Sequence, residues 1–205
     1  AELHKTSAGF VVLSGSNTYS GGTTVWDGSL MLGAAERLTD LGALTINGGV
    51  LDLGTYAETV GAVSLFGGLI RNGTLTGSAF AVEAGSVSAV LAGTGALAKT
   101  GEGTVTLTGV NTFSGTTSVN AGTLTLETGG ALASGSVSVA NGAIFNAQSG
   151  SSLSASTVLT ADGLVNLLGS GVTIETLLGA GSVNLNPAEL TLGNGNFSGV
   201  ISGTG

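Results

Sequence analysis

No cysteine occurs in the 205 residues, so no disulfide framework, thiolate zinc site or thiol nucleophile can be built. Freedom from cysteine suits export as an unfolded chain, and it suits a cytosolic protein equally. There is one proline, one histidine, one methionine and one tryptophan. Only four residues are Lys or Arg, against 12 Asp or Glu, for a formal net charge of −8. Nucleic-acid binding needs a basic footprint and a membrane-surface helix needs a basic face, so both are excluded. The acidic balance reads as solubility. Charged residues make up only 8%, whereas a disordered chain would be rich in charge or proline and poor in aliphatics. The longest apolar run, around Val60 to Ile70, is broken by Gly and Ser and is too short to span a bilayer as a helix. No signal-peptide pattern stands at Ala1, so the chain reads as mature or excised.

Glycine is abundant, with 38 residues but no strict every-third period, which rules out collagen. Its main organising feature is a repeat. Leu3 to Leu32 and Leu97 to Leu126 align without a gap, 94 residues apart, and 16 of 30 positions are identical. A repeat of this kind constrains architecture more than any single residue does. The shared residues are glycines, small polars and alternating aliphatics, which shape turns and fill a core.

Apolar and polar residues alternate strictly in many short segments. In Gly103–Gly109, Val105 and Leu107 take one side and Thr104, Thr106 and Thr108 the other. The same pattern places Leu44/Ile46, Leu51/Leu53, Leu124/Leu126, Val137/Val139, Val183/Leu185 and Leu190/Leu192 on one side of their segments. Period two over four to six residues, bounded by Gly, Asn, Ser or Asp, is the signal of a half-buried strand. The polar sides are Thr, Ser and Asn rather than Lys and Glu. The apolar sides are medium aliphatics, and Asn-Gly hairpin turns are the exception. These features favour a β-solenoid over an antiparallel barrel or sandwich. The expected fold is all-β: a single parallel β-helix over residues 1–205, with about 8–10 rungs of roughly 20–30 residues and a length on the order of 40 Å. Ala34 to Leu41 is expected to be a loop or single turn. Val105, Leu107, Val119, Leu124 and Leu126 are expected to face inward, as are Val11, Leu13, Val25, Leu30 and Leu32.

Few residues offer chemistry. Lys99-Thr100-Gly101 lacks the Ser-x-x-Lys and Ser-Asp-Asn partners of a serine β-lactamase set and reads as an exposed lysine beside a glycine turn. The Gly-x-Gly pairs, such as Gly93/Gly95, Gly101/Gly103 and Gly203/Gly205, lack a third glycine and a following helix. His4 is the only histidine, so no serine triad is expected. Glu58 with Arg71 is the first place to look for the acid–base cluster of a polysaccharide-active β-helix. The threonines at 104, 106, 108, 123 and 125 form a hydroxyl array that the first copy interrupts with Phe10 and Val12. Tyr19 and Phe113 share one repeat position and read as core fillers. Trp26 and Met31 are the candidate surface contacts. No catalytic residue, cofactor or metal site is expected, and no nucleic-acid or small-molecule partner.

The pattern L-x-K-T-G-x-G-T-[LV]-T-L-[ST]-G-x-N-T-[YF]-[ST]-G-x-T-x-V-x-x-G-T-L-x-L resembles the autotransporter-associated β-strand repeat, also called the passenger-associated transport repeat. Leu97 to Leu126 match almost fully. Leu3 to Leu32 match with departures at Ser7, Phe10 and Trp26, where the second copy has Gly101, Thr104 and Asn120. Leu41 to Gly54 and Thr59 to Gly68 are also similar to the family. Asn196 to Gly205 resembles Ala89 to Gly95, which precedes the second repeat, so the chain reads as a fragment of a larger passenger. The resemblance implies a right-handed parallel β-helix from a Gram-negative type V autotransporter, exposed on the cell surface or secreted. Its partner would be an outer-membrane β-barrel C-terminal in the same polypeptide. The implied function is a structural stalk that aids secretion and folding and projects a distal part. An adhesin using a lateral face, with an unidentified host-surface ligand, is the alternative, and a polysaccharide-active enzyme is the second alternative.

Overall fold

The computed structural model describes residues 1–169 and 171–204; Gly205, the second glycine of the last Gly-x-Gly pair, lies outside them. Among the described residues there is no helix, and every strand pairing is parallel. The alternating segments stack as the sequence pattern implies. On the first face the in-register positions are Leu3, Thr23, Leu44, Val63, Phe80, Leu97, Thr117, Val137, Leu159, Leu177 and Gly195. These are eleven stacked strands, with 17 to 22 residues from one to the next. At about 4.8 Å per rung the stack is roughly 50 Å long.

Eleven rungs exceed the expected number because each rung is shorter than expected. A second face stacks the other alternating segments, for example Thr104–Leu107 on Thr123–Leu126 on Ile144–Ala147. The third face closes each rung with very little chain. Val110–Asn111, Ala131–Leu132 and Ser152–Leu153 are strands of two residues each. In the fourth rung one strand, Ala57–Arg71, runs through two corners and along three faces, and it contains the apolar run around Val60 to Ile70. Ala34 to Leu41 forms bends and a turn without helix.

The core is a stack of inward columns. Val105, Leu107, Val119, Leu124, Leu126, Val25, Leu30 and Leu32 are all buried. Val11 departs from the expectation: it is 42% exposed, and Leu13 is half-buried. Both stay in register with inward residues, Val11 with Leu30 and Leu13 with Leu32. Their side chains keep their direction, and among the described residues nothing stacks on them from the N-terminal side. The same holds at the other end, where Ile201 pairs with buried Val183 and is 46% exposed.

Candidate functional site

The repeat motif builds a corner between the first and second faces. Period two sets Leu97 and Lys99 on one side and Ala98 on the other, and the inward side takes both. Lys99 occupies an inward column between Val82 and Val119 and has no exposed surface. This corrects the reading of an exposed lysine. Its aliphatic stem packs with the valines, as long charged side chains do, and the ammonium reaches the corner. There Nζ donates to the carbonyls of Thr100 (2.7 Å), Gly101 (2.7 Å) and Ala121 (3.0 Å), satisfying its three N–H groups. Thr100 and Gly101 belong to its own corner, whereas Ala121 belongs to the corner of the next rung. Burial pushes the Lys99 pKa down, opposed by the charges of Glu102 and Glu83, which push it up.

Gly122 explains why the corner needs glycine. Its φ is +61°, and a Cβ there would lie 2.5 Å from the Gly103 carbonyl oxygen and 2.6 Å from that of Gly101. Gly28 holds the same position and conformation in the first copy. Lys5 repeats the clamp: it is buried, and its Nζ donates to the carbonyls of Ser7 and, at 3.0 Å, Asp27. Phe10, one of the first copy's departures, is 75% exposed.

A second clamp lies on the third face. Asn111 is buried; its Oδ1 accepts from Leu91 N (3.0 Å) and its Nδ2 donates to the Gly109 (2.9 Å) and Ala131 (3.1 Å) carbonyls. One amide thereby joins three successive rungs. Its counterpart Asn17 is exposed and donates to the Arg37 carbonyl at 3.0 Å. Phe113 is fully buried, with its ring 5.7 Å from that of Phe80, while Tyr19 is half-buried and hydrogen-bonds Thr23 Oγ1 at 2.7 Å. Thr117 Oγ1 meets Ser134 Oγ in the next rung at 2.7 Å. The shared residues of the repeat therefore act on the chain's own backbone and neighbouring rungs.

The other sequence candidates are distributed differently. Glu58 and Arg71 have separate partners. Glu58 is buried and accepts from the backbone N–H groups of Arg37 (2.9 Å) and Leu38 (2.6 Å), strapping the Ala34–Leu41 segment to the stack. Burial raises its pKa, the two backbone donors oppose this, and the charges of Glu36 and Asp40 add to the rise. Arg71 Nε instead pairs with Asp52 Oδ2 at 2.9 Å. His4 Nε2 lies 3.2 Å from Glu2 Oε2, with both side chains exposed. Thr104 and Thr106 stack on Thr123 and Thr125, but Ile144 and Asn146 follow, so the hydroxyl array ends after two rungs. Trp26 is 49% exposed and Met31 is half-buried.

Sequence reasoning missed the Asp52 cluster. The Asp52 carboxylate accepts from Asn72 Nδ2 (2.7 Å), Gly54 N (2.9 Å) and Arg71 Nε. Burial alone would raise its pKa, but these hydrogen bonds and the Arg71 charge outweigh it and hold the carboxyl below its ordinary value. A depressed carboxylate contributes stability above the unfolded-state pKa and loses it as pH falls through the folded value. Stability is therefore expected to decline on acidification below about pH 4. Asp52→Asn should flatten that part of the profile, as checked by thermal melts across pH.

The sequence model of the passenger-associated transport repeat matches residues 3–32 and 97–126, the two segments that carry the lysine corner. The chain is an autotransporter passenger segment. It is 38% identical over 196 residues to the adhesin BmaC autotransporter of Brucella suis biovar 1 (strain 1330). That alignment covers 90% of this chain and 6% of the relative's length. No solved structure matches the chain. A passenger segment of this kind belongs to a protein on the surface of a Gram-negative bacterium, or secreted by it.

Proposed function

We propose that this passenger segment is a structural stalk that folds early outside the cell, aids export of its parent and carries a more distal region away from the membrane. The observation that carries this reading is the paired clamp of the second repeat. Lys99 ties its corner to the next rung, and Asn111 ties three rungs together. Stacked rungs contact only their neighbours, so order can start at one place and propagate. A clamped rung is a natural starting place, and a folded rung outside the cell would hinder backsliding of the chain. The parent would carry a C-terminal outer-membrane β-barrel as its translocator.

The segment's role is non-enzymatic in this reading, in keeping with the repeat family and with a relative named as an adhesin. The Glu58 and Arg71 pairings also leave no joint acid–base pair at that place. That relative's name favours a second reading, in which a lateral face binds a host surface and Trp26 and Met31 contribute contacts. Pulse-labelled hydrogen exchange during refolding of the chain tests the first reading. Amides of Leu97–Leu126 are expected to gain protection before those of Val158–Leu185; the reverse order would overturn it.

A further inference from the structure

Asparagine followed by glycine occurs four times, at Asn47, Asn72, Asn141 and Asn194. The fold treats the four unequally. Asn47 lies half-buried within the strand Leu44–Asp52. The Asn72 amide donates to Asp52 Oδ1 at 2.7 Å, and a Cβ at Gly73 would strike the Tyr56 carbonyl. Asn194 lies within the strand Leu190–Phe197, where its amide donates to Glu175 Oε1 (3.3 Å) and accepts from Thr176 Oγ1 (2.8 Å). Of the four, only Asn141 sits at the tip of a corner that its neighbours do not cover. Val119, Val139 and Ala161 stack in register, as do Thr123, Ile144 and Leu164. Between these anchors run three residues in one rung (120–122), four in the next (140–143) and two in the third (162–163). The four-residue corner therefore overhangs. Its feet are pinned: Ala140 N donates to the Val119 carbonyl and Ile144 N to that of Gly122, both at 2.9 Å. Ala143 N closes the turn onto the Ala140 carbonyl at 3.0 Å. Asn141 and Gly142 at the tip are exposed, and no backbone carbonyl among the described residues accepts from the Gly142 N–H. A Cβ at Gly142 would have nothing within 4 Å.

We propose that Asn141 is a self-modification site, at which the folded segment converts its own asparagine to isoaspartate and aspartate through a succinimide. The Gly142 amide nitrogen, after losing its proton to water, attacks Cγ of Asn141. An N–C bond forms, the C–Nδ2 bond breaks, and the side-chain nitrogen leaves as ammonia. Water then opens the five-membered ring. Breaking the bond to the backbone carbonyl leaves isoaspartate, with the chain routed through Cβ, and breaking the bond to Cγ leaves aspartate. Either product adds one negative charge. The step is intramolecular, so its rate depends on how often nitrogen and Cγ come together. Glycine presents the least hindered nitrogen, and the open tip lets the Asn141–Gly142 peptide swing toward the side chain. Strand pairing at Asn47 and Asn194 and the Asp52 contact at Asn72 oppose that rotation. The pinned feet confine the extra backbone atom of isoaspartate to the overhanging tip. No partner is needed, so the isoaspartate content of residue 141 records the time the folded segment has spent in water. The proposal stands whether the segment is a stalk or an adhesin.

Incubating the folded chain in neutral buffer, beside a sample held unfolded in guanidinium, tests this. Peptide mapping with electron-transfer fragmentation separates isoaspartate from aspartate at each position. In the unfolded sample all four pairs should convert at similar rates, since only the local dipeptide matters there. In the folded sample Asn141 should keep most of its unfolded rate. Asn47, Asn72 and Asn194 should slow by about tenfold or more, because each must first open locally. Isoaspartate should exceed aspartate at residue 141, with the circular dichroism spectrum retained. Asn141→Gln, whose ring would need six members, should remove most of the isoaspartate signal at an unchanged melting midpoint. Folding that slows Asn141 as much as Asn47 would overturn the proposal. So would earlier conversion of another pair, aspartate without isoaspartate at residue 141, or an isoaspartate signal that persists in Asn141→Gln.

Discussion

Replacing Lys99 with methionine is expected to lower the unfolding free energy by about 2–4 kcal/mol. Methionine keeps most of the stem between Val82 and Val119 but leaves the carbonyls of Thr100, Gly101 and Ala121 without their donor. Hydrogen bonds from a charged group contribute about 1.5–3 kcal/mol each, and relief from burying an ammonium offsets part of their sum. Lys99→Arg should not rescue fully, because a planar guanidinium presents its donors in a fixed fork rather than around one nitrogen. Urea titrations should show a lower midpoint at an unchanged slope for Lys99→Met. Wild-type stability in that variant would mean that the corner carbonyls are satisfied by water and that the lysine is no clamp.

Leu107→Ala is expected to cost about 2–5 kcal/mol, the range for a fully buried leucine that leaves a cavity. Leu107 has no exposed surface and is stacked between Val87 and Leu126. Its counterpart Leu13 is half-buried and covered on one side only, by Leu32. Measured on residues 1–205 alone, Leu13→Ala should therefore cost less than half as much. The pair separates orientation, which both residues share, from coverage, which they do not. Equal costs in denaturant melts would contradict the stacking described here.

Much of this architecture is legible in the alternation itself. Val105, Leu107, Leu124 and Leu126 could be placed inward because threonines separate them, and glycines mark the corners. Val11 obeys the same pattern as Val105, and the two differ only in what stacks on them within residues 1–205. Rung length was hidden because third-face strands such as Val110–Asn111 are too short for a period to register. The burial of Lys99 was legible and misread. Leu97 and Lys99 share a parity, so the lysine must point inward with the leucine, but its charge suggested solvent. The carbonyls that make burial tolerable come from Ala121, 22 residues along the chain, and no local pattern announces them. Likewise Glu58 and Arg71 suggested a pair, yet each is taken by residues from another part of its surroundings, Arg37 and Leu38 for one and Asp52 for the other.

Surface display of the full-length parent tests the central claim most directly, using two deletions that each remove one whole rung and keep the stack in register. Deleting residues 97–116 joins Ala96 to Thr117, the first-face partner of Leu97, and removes both Lys99 and Asn111. Deleting residues 137–158 joins Ser136 to Leu159, the partner of Val137, and removes a rung outside the repeats. The first deletion is expected to reduce display on intact cells well below the second, with ligand binding per displayed molecule unchanged in both. Equal display from the two deletions, with binding lost only in the first, would contradict the stalk and export account and leave the lateral-face adhesin in its place.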